Sequence, residues 1–314
     1  MQAVQPNTKQ KPVFFDQDGS IDDFVSLITL LTLDKFRLTG ISITEANCYG
    51  KSAVETTLRI LELFSLKNIE VALSNATAVN HFPTKWREQS SKINKIDILE
   101  NTQPNYSLLT NDEAADFTAK KILNEEEKTI VILTGPATNL NNTIEKYPEV
   151  LEKIEKVYWM AGAFLTDGNV ISPDHDGSAE WNIFWDPNSA KKLVATGVKI
   201  IFFPLDVCYH VPVDNYLMYH LKKNSKKTLS RLALQMFELT VNEHTRNYMW
   251  DVLPTMFLGF PKIGNLANTS IDIEIRGTSV GNIFKTSKGK PIHYANIIDE
   301  EVFYEHFIEQ LTKF

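Results

Sequence analysis

Short apolar runs at 13–15, 69–73, 129–133, 157–161 and 199–203, and an alternating run at 36–44, read as strands. Between them, 24–31, 52–64, 114–123 and 188–195 space their apolar residues at helical intervals. Strands apolar on both faces belong in a sheet covered on both sides, so the alternation predicts an α/β chain with an open, mostly parallel central sheet flanked by helices. Ligands of such sheets collect at the carboxyl ends of the strands. Beyond 203 the pattern predicts helices at 217–220, 231–240 and 252–258, strands at 271–275, 282–286 and 292–296, and a closing helix at 301–311. The polar stretch from 74 to about 110 reads as a long loop, in which Trp86 is a packing anchor or a stacking platform. With no internal repeat or linker, the economical division is a flexible polar tail at 1–11 and one domain at 12–314.

Composition narrows the partners. A chain of 314 residues with 43% hydrophobic content can bury a full core. Its net charge of -7, unrelieved by any basic block, argues against nucleic-acid or anionic-membrane surfaces and for a small substrate. Two cysteines, Cys48 and Cys208, make no disulfide framework and suit a reducing, cytoplasmic setting. The apolar runs are too short to span a membrane, and the N-terminus lacks the apolar core of a signal peptide.

One stretch stands out chemically. Between the first strand and the first helix lie Asp16, Asp18, Asp22 and Asp23. On a strand, residues two apart share a face, so Asp16 and Asp18 are expected to point the same way. Ser20 and Asp23 have capping spacing, which puts Asp22 and Asp23 in the first helical turn. Acids that close raise one another's pKa, which predicts a bound hard cation, a shared proton, or both. The plainer alternative has Asp22 and Asp23 merely charging the helix start while Asp16 is solvated. Later strands also run into marked turns: Thr134-Gly135-Pro136, Gly168-Asn169, and Glu180-Trp181-Asn182. Each has a bland reading too, Asn169 as a turn residue, Glu180 and Asn182 as caps, and Trp250 as core.

Asp16-Gln17-Asp18-Gly19-Ser20 resembles the aspartyl-nucleophile signature of haloacid dehalogenase-type phosphatases, but the later Asp-Asp pair and phosphate-holding lysine of that family have no counterpart here. The longer pattern Asp16-x-Asp18-Gly19-x-x-Asp22-Asp23 resembles the opening of the calcium-dependent nucleoside hydrolases. Leu133 to Pro136, Gly168 to Val170, Ala179 to Pro187 and Trp250-Asp251 match further motifs of that family in order. Phe82-Pro83-Thr84-Lys85-Trp86-Arg87 and Trp250-Asp251 look most like its purine-specific, inosine-adenosine-guanosine-preferring branch. Ser20 and Asn47 depart from that branch, which tends to have Asn and Asp there, and the segment between His244 and Trp250 is shorter.

The resemblance implies a Rossmann-like nucleoside hydrolase fold and a calcium ion (Ca2+) held by Asp18, Asp23, the Thr134 carbonyl and Asp251. It implies Asp18 as the general base on a calcium-held water, with Asp16 behind the site. Asp22, Asn47, Asn169, Glu180 and Asn182 would hold the sugar, and Trp86 and Trp250 would sandwich the base, with His244, Arg246 and Tyr248 in a flap above it. The implied reaction is hydrolysis of purine ribonucleosides to base and ribose, in a homodimer serving purine salvage. Broad purine and pyrimidine specificity, and nucleoside binding with little turnover, are the alternatives.

Overall fold

The structure is a computed structural model that describes residues 10–241 and 247–313. Its strands are β1 (Lys11–Gln17), β2 (Phe36–Ile43), β3 (Val71–Leu73), β4 (Thr129–Leu133), β5 (Ile154–Met160), β6 (Ile200–Phe203), β7 (Gly264–Ile273), β8 (Ile283–Lys285) and β9 (Lys290–Ile298). They form a single sheet in the order β3-β2-β1-β4-β5-β6-β9-β7-β8. Pairing is parallel from β3 through β9, and β7 runs antiparallel to both β9 and β8. The predicted α/β architecture is therefore the observed one.

Successive side chains of β1 supply both faces. Val13 and Phe15 enter one apolar cluster, shared with helices Ile21–Leu30, Val252–Gly259 and Glu300–Thr312. Phe14 enters the other, with Trp159 and Phe202, under helices Ala114–Leu123, Thr138–Lys146 and Pro187–Ala195. This period of two is why the run Val-Phe-Phe can be apolar throughout. Phe14 and Phe15 have no exposed surface, and truncating either to alanine is expected to cost about 3–5 kcal/mol.

The topology also fixes where a ligand can sit. From β1 the chain proceeds to β2 on one side, whereas β4 flanks β1 on the other, so a crevice opens beyond the carboxyl ends of β1 and β4. The acidic turn occupies that crevice.

Several element boundaries differ from those expected. The first helix begins at Ile21, because Ser20 and Asp23 complete a reciprocal capping box. Lys11, expected in the tail, pairs with Phe36 as the first residue of β1, and residues 1–9 lie outside the described part. Within the long polar loop, Gln89–Ile93 and Asp97–Glu100 are short helices whose Ile93, Ile98 and Leu99 are buried. One buried face per turn is too little for a periodic signal. β7 starts at Gly264, since its first half is partly exposed and polar while pairing along β9. Among the described residues no helix is long and apolar enough to cross a membrane.

Candidate active site

The turn after β1 depends on Gly19. Its φ is +88°, and a Cβ there would lie 2.5 Å from that of Ala53, so only glycine fits. This sharp exit carries Asp18 beyond the strand and into the crevice. Asp18 Oδ2 accepts the Asn47 N–H at 3.2 Å, and its carbonyl accepts Cys48 N–H at 3.1 Å. Asp16, still in β1, turns instead toward Asn139, whose Nδ2 donates to it at 3.0 Å and also reaches Ser42 and Thr118. The expectation that Asp16 and Asp18 face the same way therefore fails, because the strand has ended between them.

Around Asp18 the acids form one buried knot. Asp23 accepts from Ser20 N at 2.7 Å, from the Ser20 hydroxyl at 2.8 Å and from the Thr134 hydroxyl. Asp22 Oδ2 accepts Asp251 N–H at 3.4 Å. The Ser20 hydroxyl lies within hydrogen-bond distance of Asp22, Asp23 and Asp251 alike. Burial, reinforced by the neighbouring acids, raises Asp18 and Asp251 well above the usual carboxylate range and lifts Asp22 to about 6. Burial also raises Asp23, against its hydrogen bonds, and lifts Asp16 to about 7.

The rim beyond β4 and β5 is built from backbone and amides. Thr134 N donates to Asp16 O at 2.9 Å, which seats the turn after β4 on β1. Glu180 caps helix Trp181–Trp185 through Asn182 N at 2.8 Å and Ile183 N at 3.4 Å, and also accepts Gly162 N at 3.0 Å. Its burial lifts it to about 7. Asn182 Nδ2 donates to Thr134 O at 2.9 Å and Met160 O at 3.0 Å. Asn169 Oδ1 accepts Trp181 N at 3.1 Å. Capping and site roles are thus not exclusive, since Glu180, Asn182 and Asn169 also line the cavity.

That cavity measures about 1100 Å³. Asp18, Asp22, Asn47, Thr134 and Asp251 line it on the acidic side, and Trp86 and Trp250 line it as aromatic walls. Asp16 and Asp23 do not reach it and sit behind. Trp86 packs against Phe82 at 6.2 Å and edge-on against Trp181 at 5.6 Å, whereas Trp250 lies 5.4 Å from Tyr248. The two tryptophans belong to separate aromatic groups of one cavity. Tyr209 and Phe237 also line it and were not singled out, because an aromatic at helical or turn spacing carries no signal of its own. Asn139, likewise missed, lies in the first turn of the helix after the Gly-Pro turn, where no sequence signal ties an amide to the buried Asp16 it faces. Of the expected flap, Tyr248 lines the cavity, and His244 and Arg246 lie outside the described residues.

Among the described residues no group of three His, Cys, Asp or Glu side chains is preset as a metal cage. The acids instead close on Ser20, Thr134 and one another. As a donor set, however, Asp18, Asp23, Asp251 and the Thr134 carbonyl are all oxygen, without Cys or His, and burial chiefly, with the neighbouring acids at Asp18 and Asp251, disfavours the charged form of the three carboxyls in the absence of a counter-charge. Such a set suits a hard divalent cation.

A family model described as inosine-uridine preferring nucleoside hydrolase matches residues 13–305. The crystal structure of an inosine-uridine preferring nucleoside hydrolase from Bacillus anthracis superposes with a TM-score of 0.92 at 30% identity, covering 97% of this chain and all of that one. A purine-preferring ribonucleoside hydrolase from Gardnerella vaginalis shares the fold, with a TM-score of 0.80 at 20% identity over 96% of this chain and 98% of the other. A pyrimidine-specific ribonucleoside hydrolase of Escherichia coli is 25% identical over 64% of this chain and 62% of its own length. With the acidic turn at the carboxyl ends of β1 and β4 and a match running nearly end to end, the chain belongs to the inosine-uridine preferring nucleoside hydrolase family.

Proposed function

We propose that this protein hydrolyses the N-glycosidic bond of purine ribonucleosides, releasing base and ribose. The observation that carries this reading is one cavity with a knot of buried acids on one side and the indoles of Trp86 and Trp250 as walls. Asp18 is the proposed general base, since it faces the cavity while Asn47 N–H holds its Oδ2. Breaking the bond builds positive charge on the sugar ring, and Asp22, Asn47, Asn169, Glu180 and Asn182 would bind the hydroxyls and stabilise that charge. Stacking on the two indoles would hold the base and favour its protonated form as it leaves. Asp18, Asp23, Asp251 and the Thr134 carbonyl are the proposed calcium ligands; the bound ion supplies charge neutralisation and makes water more acidic.

A second reading, cleavage of inosine and uridine alike, is favoured by the family description and by that of the Bacillus anthracis structure. Release of free base and ribose from inosine and from uridine, with calcium and after chelation, separates the two. The purine reading expects inosine to be cleaved far faster and Asp18→Ala to be silent. Equal rates on both nucleosides select the broad reading, and no cleavage of either by folded, calcium-loaded protein leaves a binding role.

A further inference from the structure

The loop carrying Trp86 is fastened, at the next residue, to the segment carrying Asn47. Arg87 Nη2 meets Glu45 Oε1 at 2.7 Å. The Arg87 guanidinium also lies 4.5 Å from the centre of the Tyr49 ring, and Tyr49 N–H donates to the Arg87 carbonyl at 3.1 Å. The other oxygen of Glu45 accepts Gly50 N–H at 3.1 Å. Gly50 opens helix Gly50–Leu63, whose N-cap Tyr49 supplies no side-chain cap. Glu45 therefore serves the exposed amide and positive end of that helix, and this fixes its carboxylate before Arg87 arrives.

The Trp86 indole itself rests on Phe82 and Trp181, and the backbone beside it is tied to the body by the Tyr49 N–H bond to the Arg87 carbonyl. The Trp86 N–H donates to Pro83 O at 2.9 Å and Arg87 N–H donates to Thr84 O at 3.1 Å, bonds that shape the turn without anchoring it to the body. Upstream, Asn80 Nδ2 holds Phe184 O at 2.7 Å. Downstream, the Ser52 and Ser91 hydroxyls meet at 2.7 Å, the Thr56 hydroxyl donates to Ser90 O at 3.3 Å and Asn94 Nδ2 donates to Ser52 O at 3.1 Å. Arg87 supplies the side-chain anchor next to the indole, and its planar guanidinium both pairs with Glu45 and stacks on Tyr49, which a lysine cannot reproduce.

We propose that Glu45, Arg87 and Tyr49 form a latch that sets the Trp86 indole against the nucleobase, making Glu45 and Arg87 positioning residues for base affinity that never touch the substrate. The inference rests on the reading that Trp86 stacks on the base. Asn47 is held independently, by Asp18 through the N–H groups of Asn47 and Cys48, so loosening the latch releases the base wall and leaves the sugar site in place.

The test compares inosine with an iminoribitol that has a sugar-like ring and no base, using Trp86→Ala, Glu45→Ala, Arg87→Ala, Arg87→Lys and the double variant Glu45→Ala/Trp86→Ala. Trp86→Ala sets the scale, about a ten- to hundredfold rise in KM for inosine, as expected for a lost stacking partner. Glu45→Ala and Arg87→Ala are expected to raise that KM about tenfold with kcat and iminoribitol inhibition held within about twofold, and Arg87→Lys to recover part of the loss. In the double variant, Glu45→Ala adds nothing to Trp86→Ala, because the latch acts only through the indole. Additive effects in the double variant, or an unchanged inosine KM in Glu45→Ala while Trp86→Ala raises it, overturn the latch. An unchanged KM in Trp86→Ala overturns the stacking reading itself, and the latch with it. Should Glu45→Ala misfold, Glu45→Gln retains the acceptor for Gly50 while removing the charge, and it carries the same expectation at about half the size on a logarithmic scale.

Discussion

Asn182 donates from one amide nitrogen to two carbonyls, those of Thr134 and Met160, and so bolts the turn after β4 to the end of β5. Replacing it with aspartate would set acceptor against acceptor beside an already crowded group of acids. Asn182→Asp is therefore expected to lose about 1–3 kcal/mol of stability, more at neutral than at mildly acidic pH, in denaturant titrations. An isosteric change with no loss would mean the amide is not the bolt. Asp18→Asn is the companion substitution at the proposed base. It keeps shape and removes basicity, so kcat should fall about 10²- to 10⁴-fold while a nucleoside still binds, measured by sugar release and by calorimetry. Residues whose chemistry is written into their type were readable from the chain: Asp18 and Asp22, crowded in one turn, could only be expensive to bury, whereas Asp251 was reached only through the family resemblance. Ser20 was readable only as a helix cap through its spacing to Asp23, and Asn139 was not readable at all, because an amide gains meaning only once the acid it faces is known.

Elements were legible where one period dominated. The doubly apolar strands β1, β4 and β6 and the helices after them announced a parallel sheet, and Gly-Pro after β4 marked its exit. Strand order was not legible, since β9 joining β6 and β7 turning back are decided by packing between distant segments. The close approach of residue 168 to residue 179 is of the same kind. A Cβ on Gly168 would lie 2.1 Å from the Ala179 carbonyl oxygen, against backbone that cannot swing aside. Gly168→Ala should push Asn169 off the N–H of Trp181 and raise KM for nucleosides about tenfold or more, with little change in melting temperature. An unchanged KM would show that the loop shifts without carrying Asn169 along. Ser20 acts on another element. As the cap of helix Ile21–Leu30 it orients the turn bearing Asp22 and Asp23, and Ser20→Ala is expected to cost about 1 kcal/mol in thermal unfolding, whereas Ser20→Asn retains a cap.

Across the whole molecule the buried acids make stability depend on pH in an unusual direction. Asp16 is lifted from 3.8 to about 7, Asp22 from 3.8 to about 6 and Glu180 from 4.5 to about 7, each chiefly by burial. Between about pH 4 and 7 the folded chain then holds more protons than the unfolded one, so unfolding free energy falls as pH rises through that window. Their contribution is complete below the unfolded values and is lost as pH passes the folded ones. Asp176, held down to about 2 by Ser178 and Ser279, works in the opposite sense but only in stronger acid, where it does not interfere. Melting of chelated protein should therefore drop from pH 5 to pH 7.5. Calcium at a hundred times its dissociation constant should restore about 2.7 kcal/mol at the upper end, because a cation supplies to the ionised acids what protons supply to the neutral ones. Asp251→Asn should weaken that calcium response, and Glu180→Gln, which touches none of the proposed ligand side chains, should flatten the pH slope while leaving the response to calcium intact. A melting temperature that climbs toward pH 7.5 without calcium would mean that the acids are ionised and compensated in the folded chain already, and the case for a cation at this turn would go with it.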